Sequence, residues 1–246
     1  MNVYGILGTI IAIIIGYLLG SINFSILIAK YFHKVYIQKV NTGNPGATNV
    51  TITLGKKWGL LVVFLDGIKT IIVMFITFGI SCVAIPGISF NLGQTSYYVP
   101  TMFTILGHCF PVYHRFKGGK GVACFLGFLL MINPFYFIIC VGLWWIIYPL
   151  TKRVTFSSGL SMLTIALVCW LPWISMITTV SGDYHVMMTS KVVWFNHFHQ
   201  YNDTGYWDNF ILINVCLDLA ALLIGIVTYS KSKVKQKQMH NLLNIK

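Results

Sequence analysis

The sequence predicts an all-α, polytopic membrane protein with seven transmembrane helices, an external N-terminus and a cytoplasmic C-terminus. Of the 246 residues, 57% are hydrophobic and 9% are charged, and the mean hydropathy is +0.77. This composition excludes an ordinary soluble fold. Six apolar stretches reach or approach the length of a membrane-spanning helix, and they lie at residues 4–29, 58–85, 99–112, 122–150, 155–180 and 210–229.

The first stretch is expected to remain in the protein as a transmembrane helix. It is longer than the apolar region of a signal peptide, no basic segment precedes it, and no A-x-A cleavage site follows it. The second, third, fifth and sixth stretches each predict one further helix.

The fourth stretch predicts two helices. A single helix of that length, at ~1.5 Å per residue, would be about 43 Å long, whereas the hydrocarbon core is ~30 Å thick. Asn133 and Pro134 lie near its middle, and a residue before proline avoids the helical conformation. A hairpin at this point gives seven crossings. Of all the Lys and Arg residues, only Lys191 then lies outside, which satisfies the positive-inside rule. The basic clusters then placed in the cytoplasm are Lys30/Lys34/Lys39/Lys56/Lys57, Arg115/Lys117/Lys120, Lys152/Arg153 and Lys231/Lys233/Lys235/Lys237.

We expect one transmembrane domain over residues 1–246, with an extended external loop at 181–209 and a basic, lipid-facing cytoplasmic tail at 231–246. The external loop contains His197 and His199 among many aromatic residues. An aromatic belt at the membrane interface explains this composition better than a metal site does. The six cysteines are scattered through apolar runs, and we expect them to be reduced packing residues.

The charge balance indicates an anionic partner. There are 17 Lys+Arg against 5 Asp+Glu, the net charge is +12, and no Glu occurs. Anionic lipid and phosphate-bearing substrates both attract such a chain. Nucleic acid is disfavoured, because no basic domain stands apart from the apolar stretches. Catalysis by a protein nucleophile also lacks support, since no Ser/His/Asp or Cys/His arrangement is evident.

The polar loop at residues 41–49, with the sequence NTGNPGATN, has two interpretations. Glycines permit positive φ, so consecutive N–H groups could surround an anion while Thr and Asn side chains add donors. The alternative is a turn followed by a helix N-cap, which the same residue types favour.

The loop at residues 107–121 is the most informative segment. Lys117 and Lys120 flank a Gly pair, so that two ammonium groups and exposed amides could meet one phosphate, and His108 lies upstream. Nucleotide hydrolysis by a P-loop is disfavoured, because that motif would need Gly in place of His114 and Ser or Thr in place of Gly121. The alternative is a basic anchor of the kind that any multispan protein carries.

Three charged residues lie inside predicted helices. Asp66 and Lys69 are at i, i+3 on the second helix, and Asp218 is in the last one. Charges at such depth usually face a protein interior and often indicate a functional site. The alternative for Asp66 and Lys69 is an ion pair that fixes helix packing, and Asp218 has no obvious partner in the sequence.

Several segments together resemble the membrane acyl-phosphate:glycerol-3-phosphate acyltransferase family, the PlsY family. These segments are YLLGSI at 17–22, GNPGATNV at 43–50, LDGIK at 65–69, GHCFP at 107–111, FKGGKGVA at 116–123 and, more weakly, TKRVTFSS at 151–158. The resemblance extends over most of the chain.

The resemblance implies a multi-pass enzyme of the bacterial inner membrane whose active site faces the cytoplasm. It implies transfer of a fatty acyl group from acyl phosphate to the 1-hydroxyl of glycerol 3-phosphate, giving lysophosphatidic acid, without a cofactor, a metal or a protein nucleophile. The implied catalytic residues are His108, Lys120 and Asn44. The implied substrate-binding residues are Ser21, Thr42, Gly43, Thr48, Asn49, Asp66, Lys69, Lys117, Gly118, Gly119, Thr155 and Ser158.

The chain departs from the family pattern at Ile52, where the family has an arginine. A charge-assisted contact of that kind contributes roughly 1.5 to 3 kcal/mol, and Lys56 or Lys57 is the nearest substitute in sequence. The alternative function is therefore a non-catalytic carrier of phosphate esters, or a scaffold for lipid-synthesis enzymes.

Overall fold

The computed structural model describes residues 3–84, 90–171 and 206–243, and these are predominantly helical. The predicted external loop, with Lys191, His197 and His199, lies outside the described residues. The helices are α1 Val3–Ser21, α2 Phe24–His33, α3 Ala47–Leu54, α4 Lys56–Ser81, α5 Tyr98–Cys109, α6 Val122–Ile132, α7 Pro134–Thr151, α8 Val154–Val168 and α9 Tyr206–Leu243.

The described residues include 4 segments that are long and apolar enough to cross a membrane, namely Val3–His33, Lys56–Ser81, Pro134–Thr151 and Ile211–Ser232. The helices Val122–Ile132 and Val154–Val168 are apolar but shorter. The all-helical membrane fold is thus confirmed, whereas seven crossings and their orientation stay predictions.

The first predicted helix, expected to be continuous over residues 4–29, is interrupted in the structure. α1 ends at Ser21 and α2 begins at Phe24, because the buried side chain of Asn23 caps α2. Its Oδ1 accepts hydrogen bonds from the Ile26 amide at 3.1 Å and the Ser25 hydroxyl at 2.6 Å, which replaces the backbone acceptor that a new helix start lacks. The break leaves carbonyl oxygens of the last turn of α1 available to other partners.

α1 packs along α5 at very short range. A Cβ atom at Gly20 would overlap the backbone of Thr104, and one at Gly107 would overlap the carbonyl of Tyr17. Small residues allow this close approach of helix backbones in membranes. The packing places the broken end of α1 beside the C-terminal turn of α5.

The predicted break within residues 122–150 is confirmed. α6 ends at Ile132 and α7 begins at Pro134, while Asn133 is extended at φ −155° and its side chain accepts from the Phe135 amide at 2.9 Å. Proline suits the first turn of a helix, where its missing N–H is not needed.

α9 is longer than the predicted stretch at 210–229. It continues to Leu243, so the segment expected as a tail is largely helical. Its buried face, including Leu217 and Ile224, joins the main apolar core formed with α5, α6 and α8. Asp218, which had no evident partner in the sequence, accepts a hydrogen bond from Trp170 Nε1 at 2.7 Å.

The cysteines are free thiols, and all except Cys82 are buried. Their predicted role as packing residues is confirmed for the five buried cysteines, which belong to the main apolar core, and is wrong for the exposed Cys82.

Candidate active site

A buried ammonium group lies at the junction of α1, α4 and α5. Lys69 Nζ donates to Gly20 O at 3.0 Å, Ile22 O at 3.1 Å and Asp66 Oδ1 at 3.1 Å, and it lies 2.9 Å from His108 Nδ1. The two carbonyls are those left available by the break after α1. Because the C-terminal end of a helix carries partial negative charge, the break stabilises the ammonium.

The three side chains of this cluster are almost inaccessible, with exposed fractions of 2% for Asp66, 4% for Lys69 and 4% for His108. A neutral imidazole and the Asp66–Lys69 ion pair give the cluster no net charge, whereas a protonated ring would place two cations 2.9 Å apart. In the neutral form Nδ1 accepts from Lys69, so the proton is on Nε2. The ring then presents an N–H donor on its other side.

Asp66, His108 and Cys124 have donor atoms within 4.8 Å of one another, which is close enough to hold a metal ion. The Lys69 ammonium contacts two of these three residues. It therefore occupies the position of a cation, and we assign no metal to the cluster.

The Gly118–Gly119 pair lies directly against His108. Gly118 N donates to Cys109 O at 3.2 Å and Gly119 N donates to His108 O at 3.0 Å. A Cβ atom at Gly119 would overlap the imidazole, and one at Gly118 would overlap the His108 carbonyl. The expectation that these amides meet a phosphate is therefore corrected: the glycines bring the loop against His108, and their N–H groups are already paired.

The two lysines that flank the glycines differ in environment. Lys120 is partly buried, and its Nζ donates to Thr155 Oγ1 at 2.7 Å, which connects this loop to the start of α8. The Lys117 side chain is exposed, while its carbonyl accepts from Gln38 Nε2 at 3.0 Å. The direction of the Lys120 side chain is thus fixed by Thr155, whereas the Lys117 side chain faces solvent.

The polar loop before α3 is a turn in this structure. The Gly43 amide donates to Val40 O at 2.9 Å, the Asn44 amide to Thr42 Oγ1 at 3.3 Å and the Gly46 amide to Asn44 O at 2.9 Å. The amides of Gly43, Asn44 and Gly46 are paired within the loop, which favours the turn interpretation, while binding of an anion by this loop stays a prediction. The side chain of Asn44 remains as a possible ligand group.

Asn49, Ser21 and Ser158 are also held by hydrogen bonds within the protein. Asn49 is 1% exposed and its Nδ2 donates to Ile37 O and Val40 O at 2.7 and 3.1 Å. Ser21 Oγ donates to Tyr17 O at 2.8 Å, and Ser158 Oγ donates to Val154 O at 2.8 Å. Thr48, by contrast, is exposed in the first turn of α3.

Lys231, which belongs to the predicted lipid-facing cytoplasmic tail, contacts the loops of this site. Its Nζ donates to Asn44 Oδ1 at 2.7 Å, to Gly119 O at 2.8 Å and to Gly118 O. A signal was present: Ile224 and Val227 are buried, and Lys231 continues their spacing of three and four residues along one helix face.

The site has an excess of positive charge. The charge of Lys69 is balanced by Asp66, whereas the three described contacts of the Lys231 ammonium are all with neutral oxygens. Partial burial, with a smaller effect of the Lys30 ammonium, lowers the pKa of the nearby His114, so that ring stays neutral at pH 7. An excess of ammonium groups with few carboxylates suits an anionic ligand.

A family model described as glycerol-3-phosphate acyltransferase matches residues 10–203. The chain belongs to the glycerol-3-phosphate acyltransferase family. The family resemblance inferred from the sequence motifs is thereby confirmed.

Relatives in the glycerol-3-phosphate acyltransferase family cover most of this chain. The protein of that name from Mycoplasma mycoides subsp. mycoides is 42% identical over 203 residues, which are 82% of this chain and 77% of the relative. Its counterpart from Mesoplasma florum is 38% identical over 245 residues, which are 94% of this chain and 93% of the relative.

Two solved structures share the fold. The crystal structure of PlsY (YgiH), an integral membrane glycerol 3-phosphate acyltransferase, in its glycerol 3-phosphate form has a TM-score of 0.61 and 28% identity, covering 95% of this chain and 92% of that one. The lysophosphatidic acid form has a TM-score of 0.58 at the same identity and coverage. The protein is accordingly an integral membrane protein of this family.

Proposed function

We propose that the protein transfers a fatty acyl group from acyl phosphate to the 1-hydroxyl of glycerol 3-phosphate. The hydroxyl oxygen attacks the acyl carbonyl carbon, the carbon–oxygen bond to phosphate breaks, and the hydroxyl proton leaves with the phosphate. The products are lysophosphatidic acid and inorganic phosphate. The observation that carries this proposal is the contact of the Lys231 ammonium with Asn44 and with Gly118 and Gly119, which lie beside His108 and directly before Lys120, in a chain of this family.

The reaction needs little from the protein beyond alignment and charge. Acyl phosphate is an activated donor, so positioning both substrates and neutralising their phosphates supplies much of the catalysis. In this proposal Lys117 and Lys120 neutralise phosphate, Asn44 and Thr42 hold it, and the His108 Nε2–H orients a substrate oxygen.

The remaining predicted residues have supporting roles in this proposal. Asp66 and Lys69 fix the ring of His108, and Thr155 holds the Lys120 ammonium. Thr48 lines the exposed face of α3. Gly43, Gly118 and Gly119 shape the two loops, while Ser21, Asn49 and Ser158 hold backbone segments together.

We place the protein in the inner membrane of a bacterium, with this site on the cytoplasmic side. The contacts Lys120–Thr155 and Lys231–Asn44 gather the predicted cytoplasmic clusters at one end of the bundle. Basic residues collect on the cytoplasmic side of membrane proteins, which supports this orientation.

Ile52 favours the second candidate, a carrier or scaffold without turnover. Its side chain is 59% exposed on α3 and offers no charge where the family has an arginine. A carrier would move labelled glycerol 3-phosphate into sealed liposomes without an acyl donor.

The proposal is tested with purified protein in a lipid mesophase. Palmitoyl phosphate, palmitoyl-CoA and palmitoyl carrier protein are offered separately with labelled glycerol 3-phosphate, and an Ile52→Arg variant is assayed in parallel. We expect labelled lysophosphatidic acid from palmitoyl phosphate alone and a lower KM for glycerol 3-phosphate in the variant. Absence of product from every donor, in both proteins, would contradict the enzyme proposal and favour the carrier or scaffold.

A further inference from the structure

Lys231 connects segments that are far apart in the sequence. It lies 187 residues after Asn44 and 112 after Gly119, and its Nζ donates to oxygens of both. It also lies in the last turn of the Ile211–Ser232 span. A lysine at such a position ordinarily extends towards lipid headgroups, whereas this one points inward between two loops.

The partners of Lys231 determine the direction of the Asn44 amide. An ammonium group only donates hydrogen bonds, so the atom of Asn44 that faces it must be the carbonyl oxygen. The two N–H bonds of Asn44 Nδ2 then face away from Lys231. Without the ammonium, either end of the amide could face that side.

The same contacts leave the charge of Lys231 uncompensated. Asn44 Oδ1, Gly118 O and Gly119 O are neutral acceptors, and they use the three N–H bonds of the ammonium. No carboxylate of the described residues is paired with it. The positive charge therefore adds to the attraction for an anion held by Asn44.

We infer that Lys231 is a positioning residue for the phosphate of glycerol 3-phosphate, because it fixes the Asn44 amide with its NH2 group towards that phosphate. This inference rests on the proposed function, since it takes its ligand from the proposed reaction. It assigns to α9 a role in substrate affinity in addition to its role in packing.

The test compares Lys231→Met, Lys231→Arg and the matched tail variant Lys235→Met with the wild type. We expect Lys231→Met to raise the KM for glycerol 3-phosphate at least about tenfold, or ~1.4 kcal/mol, with the KM for palmitoyl phosphate within about threefold of wild type. Lys231→Arg should recover part of this affinity, and Lys235→Met should behave as the wild type.

A double-mutant cycle distinguishes a positioning role of Lys231, exerted through Asn44, from a contact that only stabilises the fold. If Lys231 acts through Asn44, the variant that combines Asn44→Ala with Lys231→Met should have nearly the same KM as the worse single variant. Additive losses, equal effects on both substrates, or an unchanged KM in Lys231→Met would overturn the inference.

Binding of glycerol 3-phosphate, measured by isothermal titration calorimetry, keeps this test separate from the proposed reaction. If the wild-type protein catalyses no acyl transfer, that result contradicts the proposed function but not the positioning role of Lys231. In that case a Kd at least about tenfold higher in Lys231→Met still supports the positioning role, and an equal Kd overturns it.

Discussion

At the scale of single residues, Lys69 and Lys120 have different roles in the site. Lys69 is buried and its charge is balanced by Asp66, so its effect is to hold the ring of His108. The Lys120 ammonium donates to Thr155 Oγ1 at 2.7 Å, and in the proposed function its charge neutralises a substrate phosphate. Similar residues therefore act differently because of the groups around them.

The first prediction concerns Lys120. Lys120→Ala removes the charge that the proposal uses to neutralise phosphate, and turnover should fall at least about tenfold, or ~1.4 kcal/mol. The measurement is lysophosphatidic acid formation at saturating substrate. Lys235→Ala, which removes the same charge from the tail, is the control and should retain its rate. Equal rates in both variants would refute the assignment of Lys120.

The second prediction uses Asn44. Asn44→Asp keeps an oxygen for Lys231 but removes the NH2 group and adds a negative charge, so the melting temperature should stay near that of wild type. The KM for glycerol 3-phosphate should nevertheless rise at least about tenfold. Asn44→Ala should lose both stability and affinity. A wild-type KM in the Asp variant would mean that the amide N–H bonds contact no phosphate.

At the scale of elements, breaks in the helices position the site. The break between α1 and α2 supplies the carbonyls of Gly20 and Ile22 to Lys69. Irregular backbone within a membrane protein is tolerated where its polar groups are satisfied by other parts of the protein, and here Asn23 and Lys69 satisfy them. The interruption is thus a component of the site.

The third prediction follows from this capping. Asn23→Ala removes the acceptor of the Ile26 amide and the Ser25 hydroxyl, and should lower the free energy of unfolding by about 1 to 2 kcal/mol. Thermal unfolding in detergent measures the change. Thr164→Ala is a matched control, because Thr164 is half-buried on α8 and its hydroxyl makes a solvent-exposed hydrogen bond within its own helix. Its effect should stay within ~0.5 kcal/mol. Equal losses in the two variants would contradict a special role for Asn23.

The two helix breaks show what local sequence can and cannot predict. The break at Asn133 was predictable because proline restricts the residue before it and the stretch was too long for one helix. The break at Asn23 was not, because an asparagine in an apolar run is compatible with a continuous helix. It is the partners supplied by α4 and the following turn that favour the capped conformation.

Some site residues were likewise predictable from the sequence, whereas others were not. The motifs predicted His108, Lys69 and Lys120 as site residues. The structure places Lys69 on α4 beside His108 on α5, and Gly119, which precedes Lys120, lies against the His108 ring. Asn49 has a residue type suited to phosphate, but its carbonyl partners became known only from the fold. Lys231 was missed because its contact with Asn44 depends on how α9 packs.

At the scale of the whole molecule, the start of α6 and the end of α7 lie at the same end of the helix bundle. Lys120 precedes this helix pair and Thr155 follows it, yet their side chains are 2.7 Å apart. A hairpin explains that contact, and it also supports the seven-crossing arrangement over six.

The fourth prediction tests this topology. In a Cys82→Ser background, a membrane-impermeant maleimide added to intact cells should label Lys191→Cys and spare Arg153→Cys. Both should react after permeabilisation. Labelling of Arg153→Cys in intact cells would place residue 153 outside, as six crossings require, and would refute the hairpin.

The contact between Lys231 and Asn44 joins groups 187 residues apart, and this separation has a consequence for biosynthesis. The first loop leaves the ribosome long before the segment that completes it. If Lys231 has the proposed positioning role, a nascent chain without its last helix has an incomplete pocket, and it becomes competent to bind the acceptor only after that helix enters the bilayer.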